Sequence, residues 1–170
     1  MLKIGLAGIG HGDTLLQANR PEHEDLGMKV TALCDVNEDR LARAAAEHGI
    51  GKTTTDFEEL IGLDVDVIGI YTPGPIHGDQ IVSALNAGKH VMVTKAMAYS
   101  MEEVEAAVEA VDRTGKVLLV TQTMRGDAKH MEVKRLCDEG ILGDLIVAEA
   151  TYTHDLRPIY AKTPWRTQMP

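Results

Sequence analysis

A parallel α/β sheet with helices on both faces is the fold class this sequence predicts, and three observations predict it. Apolar runs alternate with amphipathic helical stretches from Leu2 to about Gly140. Most of the runs are close to continuously apolar, as strands covered on both faces should be. The first run ends in Gly8-Ile9-Gly10, a strand-to-helix turn at which bare backbone can approach a pyrophosphate. Strand and helix repeated in this way imply right-handed crossovers and a doubly wound parallel sheet.

Each element has a local cause. Leu2–Ala7 and Met28–Cys34 read as strands. Asn37 caps a helix in which Leu41, Ala44, Ala45 and His48 recur at i, i+3, i+4 and i+7, and Gly49 closes it. A capping box from Thr55 to Glu58 starts a short helix with Phe57, Leu60 and Ile61 as its buried face. Asp66–Tyr71 is the next strand, and Pro75 opens a helix running to Gly88. His90–Val93 repeats the strand pattern. Ser100 and Glu103 form a second capping box, Met101, Val104, Val108 and Val111 share one stripe, and Gly115 terminates the helix. Val117–Val120 is one more strand, and a last helix runs from about Asp127 to Glu139.

The pattern changes at Leu145. Ile146, Ala148, Ala150 and Tyr152 alternate with Glu149, Thr151 and Thr153, which predicts a strand with one wet face. Residues 1–143 are therefore expected to form the dinucleotide-binding domain, and residues 144–170 the first strand and beginning of a second, α+β domain. The tail from Arg157 to Pro170 holds three prolines and no period.

A chain of 170 residues with 44% hydrophobic content can bury one core. Its formal charge of -9 speaks against nucleic acid and anionic membrane as partners. The short apolar runs predict no spanning helix, and the N-terminus lacks the pattern of a signal peptide, so the expected location is the cytoplasm. Cys34 and Cys137 are too few for a disulfide framework and read as structural. The histidines show neither HExxH spacing nor CxxC companions, so no metal is expected.

Gly8, Ile9, Gly10 and His11 form the candidate pyrophosphate turn; Asp13 stands where the fingerprint expects its third glycine, with Gly12 just before it. Asp35 ends the second strand about 25 positions after Gly10, close to the ~20-residue offset of the carboxylate that binds the adenosine ribose. A carboxylate suits NAD and repels the extra phosphate of NADP. Val36 and Asn37 supply no cation, and the nearest base, Arg40, lies a turn into the following helix.

Further motifs carry a resemblance. Tyr71-Thr72-Pro73 followed by His77, then Ala87-Gly88-Lys89-His90-Val91-Met92-Val93-Thr94-Lys95, then Ser100-Met101-Glu102-Glu103 and the turn Gly140 to Asp144 resemble the glucose-fructose oxidoreductase, inositol dehydrogenase and rhizopine-catabolism (Gfo/Idh/MocA) family. The resemblance runs from Met1 to about Asp155 and implies a Rossmann fold. It implies that Lys95 lies by the nicotinamide and the substrate hydroxyl and assists proton removal, with Thr94 beside it. Thr72 and Pro73 at a strand end are then cofactor contacts, His77 a cofactor or substrate contact, and Gln122 and Arg125 polar groups at the same rim. Where the family has Glu-Lys-Pro this chain has Thr94-Lys95-Ala96. Loss of the proline puts a cis peptide there in doubt, because a non-proline cis bond costs ~2.5 to 4 kcal/mol.

Family members run to roughly twice this length and carry an Asp and a His on a helix of the second domain; His154-Asp155 come too early to be that pair. The resemblance thus implies an amino-terminal piece of an NAD-dependent oxidoreductase, inactive alone, that passes hydride between the nicotinamide and a secondary alcohol of a sugar, cyclitol or polyol, as a homo-oligomer when full length. Two other readings stay open: a non-catalytic NAD(H) sensor, and an enzyme using NAD transiently for glycoside cleavage.

Overall fold

β1 (Leu2–Ala7), β2 (Met28–Cys34), β3 (Lys52–Thr54), β4 (Val67–Ile70), β5 (His90–Thr94) and β6 (Leu118–Thr121) pair in parallel throughout and form one sheet in the order β3-β2-β1-β4-β5-β6. This computed structural model describes residues 1–163. It divides into two compact units, one spanning Met1–Thr121 and one beginning at Gln122. The sheet lies in the first, and its order reverses between β1 and β4, the switch point at which doubly wound sheets open a crevice beyond their strand ends.

Two cores result, one for each face of the sheet. On one side Ile68, Ile70, Val91 and Val93 pack with α3 (Phe57–Gly62), α4 (His77–Asn86) and α5 (Met101–Thr114) through Leu60, Ile81, Leu85 and Ala107. On the other, Ile4, Leu6, Val30 and Leu33 pack against α1 (Ile9–Gly12), the 3₁₀ stretch Asp13–Asn19 and α2 (Glu38–His48) through Ile9, Leu16 and Leu41. Leu6, Leu33, Ile68 and Ile70 are 0% exposed, and burying an aliphatic side chain that fully contributes ~1.5–3 kcal/mol. Lys89 ties the core's lower end, its ammonium donating to the carbonyls of Leu63 at 2.8 Å and Val65 at 3.0 Å.

Most expected elements form with their expected ends. Asn37 Oδ1 accepts Arg40 N–H at 2.8 Å and Gly49 closes α2 at φ +64°. Ser100 and Glu103 complete both bonds of the capping box at the start of α5, and Gly115 ends it. Four details differ. The cap of α3 is Asp56, whose carboxylate accepts Glu58 N–H at 2.8 Å, rather than Thr55. β3 has no apolar run to announce it, being an edge strand of Lys-Thr-Thr. The chain after α1 continues as two 3₁₀ stretches, Asp13–Asn19 and Pro21–Leu26. β6 starts one residue later than expected, the Val117 N–H donating to His90 Nδ1 at 3.0 Å.

In the second unit a 3₁₀ turn, Thr123–Gly126, leads into α6 (Ala128–Asp138), capped by Asp127 and laced by Lys134–Asp138 and Arg135–Glu132 ion pairs. α7 (Arg157–Lys162) follows. The strand expected over Leu145–Thr153 does not form: residues 145–156 adopt neither helix nor strand and are exposed. An alternating segment with no ladder partner leaves its backbone groups to water.

Replacing Ser100 by Ala removes the side-chain acceptor for Glu103 N–H and should cost about 1 kcal/mol. Urea unfolding followed by circular dichroism checks this; an unchanged midpoint would show that the cap contributes nothing.

Candidate crevice at the carboxyl ends of the strands

Gly8 leaves β1 between two neighbouring strand exits. Its N–H donates to the Cys34 carbonyl at 2.9 Å, while Tyr71 N–H donates to the Ala7 carbonyl at 2.8 Å. Its φ is +85°, and a Cβ on it would lie 2.6 Å from Thr72 N and from the carbonyl carbon and oxygen of Tyr71. Both facts restrict the position to glycine. A Cβ on Gly12 would lie 2.8 Å from Leu6 Cδ1 and 3.1 Å from Tyr71 Cβ. Gly12 thus provides the close approach of helix to strand that the fingerprint assigns to its third glycine, one position before Asp13. Gly10 and His11 complete the turn and are exposed.

Asp35 closes the other side of this turn. It is 5% exposed; its Oδ2 accepts Ile9 N–H at 2.9 Å and its Oδ1 accepts Asn37 N–H at 2.9 Å. Because Asn37 caps α2, Asp35 is not the helix cap. Arg40 reaches back, its Nη1 standing 3.1 Å from Asp35 Oδ2 and 3.1 Å from where a Cβ on Gly10 would lie. Val36 and Asn37 bring no cation to Asp35, and α2 turns Arg40, the nearest base in the sequence, onto it. Burial, and then the charge of Asp35, pushes the neighbouring Cys34 thiol up to about 11.

The ends of β4 and β5 form the far side. Thr72 Oγ1 donates to Gln80 Oε1 at 2.5 Å, and Pro73 is exposed. His77 is 1% exposed, with Nε2 2.8 Å from the Thr72 carbonyl oxygen and Nδ1 2.6 Å from that of Ala96. Both ring nitrogens of His77 thus face backbone carbonyl oxygens. Thr94 ends β5 in register with Thr121, and Lys95 after it is exposed. The Lys95–Ala96 peptide is cis, so that feature persists without the proline. The Tyr99 ring covers Gly74, where a Cβ would collide with Cε2. Glu103 Oε2 accepts Tyr99 N–H at 2.7 Å, and its side-chain carbons stand 2.8–2.9 Å from where a Cβ on Gly78 would lie. Tyr71 is half-buried, and burial raises its phenol above the usual range.

Gly8, Ile9, Gly10, His11, Asp35, Thr72, Pro73, Thr94 and Lys95 thus share the carboxyl end of one sheet. Gln122 and Arg125 belong to the second unit, where Arg125 N–H donates to the Gln122 carbonyl at 2.8 Å. Gln80 and Arg40 were not among the expected site residues. Gln80 had a usable signal, since it lies three positions after His77 on the helix that follows Thr72, and i,i+3 neighbours share a face.

The bare glycine turn, the buried acid tied to it and the switch-point crevice define a dinucleotide-binding domain of the Rossmann kind. The sequence model of the Gfo/Idh/MocA oxidoreductase family, described as an NAD-binding Rossmann fold, matches residues 2–122, and the chain belongs to this family. It is 33% identical over 145 residues to a 1,5-anhydro-D-fructose reductase of Ensifer adhaerens, covering 85% of this chain and 43% of that protein. It is 36% identical over 144 residues to the scyllo-inositol 2-dehydrogenase (NAD(+)) of Bacillus subtilis strain 168, covering 84% and 40%. The crystal structure of scyllo-inositol dehydrogenase from Lactobacillus casei with bound NAD(H) and scyllo-inositol matches with a TM-score of 0.77 and 28% identity, covering 85% of this chain and 43% of that one. The chain spans less than half the length of each of these proteins.

Cys34 should resist alkylation while the half-buried Cys137 reacts, because the nucleophile is the thiolate. The same shift predicts falling stability at high pH. The unfolded thiol ionises at about 8.5, whereas the folded one holds its proton to about 11. Across that window the unfolded state binds fewer protons, so stability drops as pH rises and is unaffected below it. Iodoacetamide labelling with peptide mapping at pH 8 and urea midpoints from pH 8 to 11 check both; preferential labelling of Cys34 would refute the assignment.

Proposed function

We propose that this chain is the cofactor-binding half of an NAD-dependent oxidoreductase that moves a hydride between the nicotinamide and a secondary alcohol of a sugar, cyclitol or related polyol. The observation that carries the reading is the hydrogen bond from Ile9 N–H to Asp35, which joins the glycine turn to the acid that ends β2. The residues present fit a dinucleotide: a Cβ at Gly8 would collide with backbone, and the acid beside the turn is buried and held in place. Gly8, Ile9, Gly10 and His11 would hold the pyrophosphate, Asp35 the adenosine ribose, and Thr72, Pro73 and Thr94 the nicotinamide half.

When bound, the nicotinamide supplies or accepts the hydride. Lys95 would hold the alcohol oxygen, its neutral amine taking the hydroxyl proton as hydride leaves and its ammonium returning that proton in the reverse direction. Among the described residues its ammonium makes no hydrogen bond or ion pair, which leaves it able to do so. Residues 1–143 serve as the cofactor domain and 144–170 begin the substrate-reading half. The proteins it resembles include an NAD(H)- and scyllo-inositol-bound dehydrogenase and a sugar reductase, which favours a small polyol over a macromolecular substrate. The formal charge of -9 supports the absence of nucleic-acid and anionic-membrane partners, and among the described residues no helix is long and apolar enough to cross a membrane. A cytoplasmic homo-oligomer completes the reading.

Calorimetric titration should show NAD(H) binding more tightly than NADP(H). Asp35→Ala should weaken NAD(H) by about 1 to 3 kcal/mol, the scale of a hydrogen bond to a charged group. It should also narrow the gap to NADP(H), since it removes a negative charge and leaves Arg40 unpaired; equal losses for both cofactors would assign Asp35 to structure alone.

In the full-length enzyme Lys95→Met should lower kcat by roughly 10² to 10⁴, the span of a positioned acid or base, with little change in NAD(H) affinity. Steady-state NADH production with a panel of polyols checks this, and unchanged turnover would remove Lys95 from the chemistry.

A further inference from the structure

β4 and β5 are held in register from Val67↔His90 to Ile70↔Val93, and beyond those pairs the ladder no longer ties the two chains. Thr72 and Ala96 lie in the two segments that continue past it, one leading to the Pro73 rim and the other following Lys95. Among the described residues His77 is the side chain that hydrogen-bonds both, through Nε2 to the Thr72 carbonyl at 2.8 Å and Nδ1 to the Ala96 carbonyl at 2.6 Å. A carbonyl oxygen can only accept, so whichever ring nitrogen carries a proton donates to the carbonyl it faces. The ring has no room to leave. It is 1% exposed and starts α4, Gly74 before it is covered by Tyr99, and Gly78 after it faces Glu103 without space for a Cβ.

We propose that His77 is a positioning residue that sets the Lys95–Ala96 segment against the Thr72–Pro73 rim and so aims the Lys95 amine across the crevice. The proposal rests on the roles given above to Lys95 and to that rim, and it assigns His77 no contact with cofactor or substrate. Its two bonds have separate duties: Nδ1 holds the lysine segment, and Nε2 holds the rim.

Two substitutions separate these duties. An Asn amide nitrogen falls near the position of Nδ1, and a Gln amide nitrogen near that of Nε2. His77→Asn should therefore keep the Ala96 bond and lose the Thr72 bond, and His77→Gln the reverse. Amide hydrogen exchange on the chain is expected to run about tenfold faster than wild type over residues 71–76 in His77→Asn, with 94–99 little changed. In His77→Gln it should run about tenfold faster over 94–99, with 71–76 little changed. With NADH added, His77→Gln should retain affinity within about threefold of wild type but lose the cofactor's protection of Lys95 against acylation by acetic anhydride, read by peptide mass spectrometry. His77→Asn should keep that protection once saturated and bind NADH more weakly.

If both variants loosen both segments alike, or neither does, His77 is a packing residue and the proposal fails. If one variant does not fold, the other still decides, since each has its own loose and its own tight segment; failure of both to fold assigns His77 to the core and overturns the proposal. Absence of NADH binding by the wild-type chain would refute the proposed function alone, because the exchange pattern is measured without cofactor.

Discussion

The reversal of strand order between β1 and β4 is the constraint on which the remaining structure depends. Chains leaving neighbouring strands diverge there, and the gap must be lined by backbone that takes up no volume. Gly8 meets this demand at φ +85°, with the exits of β2 and β4 in contact on its two sides. The turn is then fastened by a carboxylate rather than by the sheet, since Asp35 accepts from Ile9 N–H after the ladder of β1 and β2 has ended at Ala7↔Cys34. A buried carboxylate needs compensation for the water it loses, and two backbone amides with the Arg40 guanidinium provide it.

The same economy appears across the crevice. Past the last residue pair of β4 and β5, order is maintained by single side chains with two partners each. His77 takes two carbonyls, and Glu103 receives the amides of Tyr99 and Ser100 while occupying the space beside Gly78. Lys89 does similar work at the opposite end of the sheet, where its ammonium serves two carbonyls following α3. The strands supply the frame, and these bridging groups carry its order beyond the reach of strand pairing.

The frame was legible in the sequence because its causes are local. The strand Met28–Cys34, the helix from Asn37 to Gly49 and the Ser100–Glu103 cap follow from apolar runs, periodicity and capping chemistry that a few consecutive residues display. The positions of Gly8 and Asp35 followed from spacing. What escaped depends on distance in sequence: Arg40 lies against Gly10 only because α2 packs beside α1, and the His77 ring is buried only because the chain after Lys95 returns over it. β3 escaped for a different reason, since an edge strand of three polar residues has no hydrophobic pattern to show. Leu145–Thr153 shows the converse, an alternating pattern that needs a neighbour before it becomes a strand.

The meeting of Glu103 with Gly78 links two helices by their first turns. The carboxylate that caps α5 reaches its place along a stem lying where any side chain at position 78 would have to go. The two sites are therefore sterically coupled. A chain that acquires even a methyl group at 78 must shorten or redirect residue 103, and by doing so gives up the reciprocal bond that begins α5. Substitutions at these positions should arise in pairs as the sequence drifts, with the second change compensating the first.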